Sequence, residues 1–208
     1  KQFGVVTYTG NGSTQSITGL GFQPDLVWLK RRDGAKSHAL FDSSRGVTKY
    51  ISADNANNEA TDTSTLTAFG SDGFSLASPA ANNLVNGNGF TYVGWAWRVN
   101  AGTTASNSNG DISSTVQVND KAGFSIVKYT GDLSSSGNRT VGHGLSTAPD
   151  LIIRRGLNVG ERWAISHVGC TSFNYMMELN STNAEVDKSG NGSMSAPTTT
   201  VFSNNYTD

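Results

Sequence analysis

The stretch Phe3-Gly4-Val5-Val6-Thr7-Tyr8-Thr9-Gly10 decides how this chain reads, because it returns as Phe124-Ser125-Ile126-Val127-Lys128-Tyr129-Thr130-Gly131 at an offset of 121. Phe, Val, Tyr, Thr and Gly keep their places, and Ile126 stands where the first copy has Val5. Further along, Gly19-Leu20 and Pro24-Asp25-Leu26 recur as Gly144-Leu145 and Pro149-Asp150-Leu151, now at an offset of 125 that places four extra residues in an early loop. Tyr50, Asn55 and Asn58 keep this second offset at Tyr175, Asn180 and Asn183. A repeat with conservative apolar exchanges and variable loops is the mark of a duplicated structural module. It favours two domains over one large one in a chain of 208 residues.

The first copy reads as strands: Phe3 to Thr9, Gln15 to Thr18, Asp25 to Arg32, Ser37 to Asp42, Thr48 to Ser52, Thr63 to Phe69, Gly73 to Ala77 and Phe90 to Val99. Asn11-Gly12, Asp33-Gly34, Asp72-Gly73 and Asn86-Gly87-Asn88-Gly89 supply turn chemistry between them. The expectation is an all-β chain of two tandem, jelly-roll-like β-sandwich repeats at 1–100 and 122–208. Residues 101–121 read as a linker in which Ile112 to Val118 adds an edge strand, and Asn55 to Ala60 reads as a single helical turn. In the last strand of the first copy, Val93, Trp95 and Trp97 share one face, opposite Tyr92, Gly94, Ala96 and Arg98. Trp95 and Trp97 are expected in the core, with a sugar-stacking platform as the alternative. With Phe202 taken as the counterpart of Phe69, the second copy is truncated and lacks a partner for the Gly89 to Val99 strand. Such a gap leaves backbone groups unpaired, so this half is expected to be less ordered or to be covered by another chain.

Charged residues make up 15% of the chain, against roughly 25% in an ordinary soluble domain, and Gly, Asn, Ser and Thr crowd the loops. A net charge of −1 supplies no field to attract a polyanion or an anionic membrane, so neither nucleic acid nor membrane is an expected partner. Cys170 is the only cysteine, which excludes an intrachain disulfide and a cysteine-built zinc site.

Catalytic chemistry is thinly represented. The chain holds four Glu residues, at 59, 161, 178 and 185, and nothing nominates the paired carboxyl groups a glycosidase needs. His38, His143 and His167 face Trp163, Thr18 and Asp42 at the 125 offset, so none is shared between copies. His167 three residues before Cys170 is a weak nucleophile signal. Lys30-Arg31-Arg32 and Arg154-Arg155 read as charges capping a strand end, with contact to an acidic sugar or a partner subunit as the alternative. The Asp- and Asn-rich loops lack the ligand spacing of a calcium motif, so no metal and no cofactor is expected. The variable loops Asn55 to Ala60 and Ala80 to Gly89 are the expected contact surface, with Asn55, Asn57, Asn58, Asn82, Asn83, Asn86 and Asn88 as candidate ligand-binding residues.

Tyr8-Thr9-Gly10-Asn11-Gly12, Gly19 to Arg31, Phe41-Asp42-Ser43-Ser44-Arg45-Gly46 and Gly89 to Arg98 together resemble a repeat of tail and virion structural proteins of marine bacteriophages. Gly123 to Val127, Gly142 to Leu145, Ala148 to Ile153 and Leu179 to Ala184 are similar to the following unit of such arrays. The resemblance implies a noncatalytic, tail-fibre-like structural and recognition module in the virion, touching other tail subunits and a host-surface glycan, and often homo-oligomeric. A glycan-degrading enzyme on a lectin-like sandwich and a purely structural spacer are the alternatives.

Overall fold

The computed structural model describes residues 1–79, 83–131, 139–189 and 194–204, and every strand and sheet below lies among them. The protein is all-β. Two compact units form, one of Lys1–Gly102 with Leu157–Gly160, the other of Thr103–Gly156 with Glu161–Asp208.

The first unit is a sandwich. Strands β1 (Phe3–Thr9), β9 (Thr91–Trp97), β3 (Leu26–Arg31) and β4 (Ala39–Asp42) lie side by side in that order, all antiparallel. A second sheet holds β2 (Gln15–Ile17), β8 (Gly73–Leu76) and β7 (Leu66–Gly70), and β5 (Lys49–Tyr50) pairs with β6 (Ala60–Thr61). Alternation along each strand sends one set of side chains into the space between the sheets. Val27, Leu29, Phe41 and Ala96 from the first sheet meet Ile17, Leu66, Phe74 and Leu76 from the second. The segment Asn55 to Ala60 is not a helical turn. The Asn55 side chain instead accepts the Asn57 amide at 3.0 Å, and Ala60 opens β6.

Asp25 closes this unit. Its carboxylate is fully buried and accepts the backbone N–H groups of Val99, Ala101 and Gly102 at 2.7, 3.0 and 2.6 Å and the Ser43 hydroxyl at 2.8 Å. The chain leaving β9 is thereby latched to the start of β3.

The second unit contains β10 (Ala105–Asn107), β11 (Ser114–Asn119) and β12 (Phe124–Tyr129) in one sheet, β13 (Arg139–Gly142) paired with β18 (Val201–Asn204), and the series β14 (Leu151–Arg154), β15 (Ala164–His167), β16 (Tyr175–Glu178) and β17 (Val186–Asp187). The segment expected to link the halves thus begins the second unit from Thr103 and contributes two strands, because β11 pairs with β12 along its whole length.

Pairings recur at corresponding places. β13 joins β18 as β2 joins β8, and β14 joins β15 as β3 joins β4. Val141 faces Phe202 as Ile17 faces Phe74, and Tyr129 meets Phe202 edge-on at 6.1 Å as Tyr8 meets Phe74 at 6.3 Å. Phe202 therefore takes the place of Phe74, not that of Phe69.

Candidate functional site

Strand β9 determines what the first unit shows to solvent. Its inward residues are Tyr92, Gly94 and Ala96, all buried, whereas Val93, Trp95 and Trp97 on the other face are half-exposed. The expectation that Trp95 and Trp97 belong to the core is corrected. The reason is space: a Cβ on Gly94 would lie 2.9 Å from Leu29 Cδ2, 3.4 Å from Val6 Cγ2 and 3.5 Å from Phe74 Cζ. The gap between the sheets is already filled from three sides. Only small residues fit inward at this point, so the indoles face out.

Register then builds an aromatic surface. Val5, Trp95, Trp28 and Leu40 form one row across all four strands, and Phe3, Trp97 and Leu26 form the next. Phe3 packs on Trp97 at 4.9 Å between centroids, and Trp28 meets Trp95 edge-on at 6.0 Å. Phe3 and Val5 are 43% and 51% exposed, so the margin of the patch beside β1 is open. Trp28 Nε1 donates to His38 Nδ1 at 2.8 Å, and the His38 backbone N–H donates to Asp54 at 3.1 Å. These bonds hold the indole in place. An Nδ1 that accepts leaves the ring proton on Nε2, and burial lowers the His38 pKa, Asp54 partly opposing and Lys30 reinforcing the shift.

The loop asparagines divide by environment. Asn86 is fully buried, donates to Ser13 O at 2.5 Å and Ala77 O at 2.9 Å, and accepts the Asn11 amide at 3.2 Å. It ties loops together and is corrected from contact residue to structural staple. Asn83 is half-buried with a φ of 49°, and its carbonyl accepts the Tyr92 hydroxyl at 2.8 Å. Asn55 is half-buried and reaches Ser37 Oγ at 3.4 Å. Asn57, Asn58 and Asn88 are exposed, while Asn82 lies outside the described residues. Hydrogen bonds tie the two loops to different neighbours, Asn58 to Asn158 O at 3.4 Å and Asn86 to Ser13. They do not bring these asparagines into one cluster.

The groups weighed for catalysis are engaged otherwise. The Arg45 guanidinium bridges Asp42 and Glu59, the latter at 2.9 Å, and donates to Leu40 O at 2.9 Å. Both carboxylates are held by one cation inside the fold. Burial raises the Cys170 thiol and Glu185 adds to that, the opposite of what activates a thiolate nucleophile. Arg31 lies 3.4 Å over the Phe90 ring and pairs with Asp33 at 2.6 Å. Among the described residues, no group of three or more His, Cys, Asp or Glu is arranged to hold a metal ion.

Fold and surface define a class: an antiparallel β-sandwich module that presents aromatic rings on the outer face of one sheet. The chain matches, over residues 1–208, the family described as a domain of unknown function, DUF7483, and belongs to it. No curated protein and no solved structure matches it.

Proposed function

We propose that the protein is a noncatalytic recognition and structural module whose binding face is the outer side of the β1-β9-β3-β4 sheet, and that its ligand is a neutral carbohydrate. The observation that carries this reading is the pair of rows Val5-Trp95-Trp28-Leu40 and Phe3-Trp97-Leu26. Contiguous exposed apolar surface marks an interaction site. Flat rings offer it to the CH face of a sugar, and the weakly charged chain suits an uncharged partner. The resemblance to tail and virion proteins supplies the setting, a phage appendage that meets a host-surface glycan beside other tail subunits.

Titration with neutral oligosaccharides, followed by indole fluorescence and by saturation transfer to the ligand, tests the reading. Trp95→Ala and Trp97→Ala should each weaken binding at least about fivefold, as expected when a stacking contribution of roughly 1–3 kcal/mol is lost. Variants at Asn57, Asn58 and Asn88 should bind as the parent does. Binding that survives both tryptophan changes and disappears with the asparagines would reject the face as the site. A second reading is favoured by the aliphatic members Val5, Leu26 and Leu40, which offer a sugar no hydrogen bond: the same face packs against another subunit as a structural spacer. Silence toward oligosaccharides, together with self-association abolished by Trp95→Ala, selects it.

A further inference from the structure

The second unit holds an open cleft of about 160 Å3, lined by Ser125, Val127 and Tyr129 of β12, by β14 with Arg155, and by His143 and Phe202. Its position explains its size. In the first unit β9 lies between β1 and β3, and Gly94 of β9 sits against Val6, Leu29 and Phe74. The residues at those three places in the second unit are Val127, Arg154 and Phe202, and all three line the cleft. β12 pairs with β11 and β14 with β15, and among the described residues no strand lies between β12 and β14.

Neighbouring residues show the same vacancy. Val27 of β3, beside Ala96 of β9, is completely buried, whereas Ile152 at the matching place on β14 is only half-buried. Leu151 and Ile153 are 51% and 47% exposed. The backbone bond from Ser43 N to Asp25 O, 2.8 Å, has its match in Val168 N to Asp150 O, 3.0 Å. Yet the Asp25 carboxylate is buried under the amides that follow β9, while Asp150 is exposed.

We propose that this cleft is a strand acceptor, filled by an extended β-strand donated by a partner polypeptide. The donor runs antiparallel to both β12 and β14, as β9 does to β1 and β3. It carries a small residue at the inward position over Val127 and Phe202, an aromatic two residues earlier to stack on Tyr129 as Tyr92 stacks on Tyr8 at 5.2 Å, and free amides after the strand for Asp150. Main-chain hydrogen bonds to β12 and β14, each the last strand of its sheet among the described residues, supply affinity, and the alternate inward positions supply selectivity. Arg154, where the first unit has Leu29, reaches Ser203 O at 3.3 Å, Ser166 Oγ at 3.4 Å and the sulfurs of Met176 and Met194 at 3.4 and 3.2 Å, so it lies back from the path of the strand.

The test uses the whole chain and a synthetic peptide with the sequence of Phe90 to Gly102, followed by residue-resolved amide hydrogen exchange. Saturating peptide should slow exchange in β12 and β14 by at least about tenfold and leave β1 and β3 unchanged, while a scrambled peptide does nothing. Asp150→Ala should raise the peptide's Kd at least about tenfold without altering exchange in the free protein, because the side chain is exposed there. Unchanged exchange in β12 and β14 overturns the proposal, as does protection confined to β1 and β3. Protection that grows with protein concentration in the absence of peptide, showing a second copy in the cleft, also overturns it, and so does protection by oligosaccharide alone.

Discussion

Replacing Asp25 by alanine should be among the most damaging single changes in the first unit, and the matching change at Asp150 should be nearly silent. Four of the hydrogen bonds that Asp25 accepts come from Val99, Ala101 and Gly102 N–H and from Ser43 Oγ. At about 1.5–3 kcal/mol for each bond to a charged acceptor, the gross interaction is about 6–12 kcal/mol. Two effects reduce it. Removing the carboxylate ends the cost of holding a charge away from water. Ala101 is exposed and Gly102 half-exposed, so water replaces the lost acceptor there. The Val99 amide, in a residue only 4% exposed, loses its 2.7 Å bond to the carboxylate where water has little access. The net loss is about 3–5 kcal/mol, which at about 4–8 °C per kcal/mol for a unit of this size lowers its Tm by at least about 12 °C. Asp150 is exposed, and its alanine variant should stay within about 0.5 kcal/mol of the parent. Calorimetry on the whole chain reads both variants. Equal shifts, or a loss below about 1 kcal/mol at Asp25, would refute the latch.

Three further outcomes follow from the same geometry. Gly94→Val, placed 2.9 Å from Leu29, should destabilise the first unit by about 1–3 kcal/mol through overpacking, measured by urea unfolding; a neutral change would show that the sheets separate easily. Asn86→Ala should cost about 1–3 kcal/mol, whereas Asn88→Ala costs under about 0.5, and reversal of that order in thermal melts would contradict the staple. Burial lowers the pKa of both His38 and His143, so the unfolded chain takes up protons first. Stability should be flat above about pH 6.5 and fall as pH drops from there through the lower folded values; a urea midpoint that rises between pH 7.5 and 5.5 would show the shifts have the opposite sign.

The strands were legible because their signals are local. β1, β3 and β9 each carry β-branched or aromatic runs bounded by Gly, Asn or Asp, and the observed Phe3–Thr9, Leu26–Arg31 and Thr91–Trp97 lie within a residue or two of the ranges read from the sequence. The facing of β9 was not legible. Period-two alternation separates Trp95 and Trp97 from Gly94 and Ala96 but does not say which set is inside, and the greater hydrophobicity of indole argued for the wrong one. Leu29, Val6 and Phe74 settle it, and they come from three other strands. The burial of Asn86 was illegible for a related reason: Asn86 is as polar in sequence as Asn88, and only the convergence of Ser13, Ala77 and Asn11 on its amide shows that it is internal. Arg45 between Asp42 and Glu59 had no sequence signal beyond opposite charge at short spacing.

The first unit's sheet is continuous through β9, whereas among the described residues no strand joins β12 to β14 in the second. A strand such as β9 does three separable things: it pairs both neighbours, caps the inner core with small residues, and sends amides back to a buried aspartate. In the second unit β11 pairs with β12 and so satisfies one edge only. It cannot cap the core above Phe202, since the β12 to β14 interval is where the cleft lies. Nor does it reach Asp150, which stays exposed. Exchange of Leu29 for Arg154 follows the same logic, because a guanidinium bonded to Ser203 and Ser166 tolerates a wetter site than a leucine does. Restoring leucine there should therefore stabilise the second unit only when a strand is bound, and an Arg154→Leu variant that gains stability without a donor would show that the cleft is already dry.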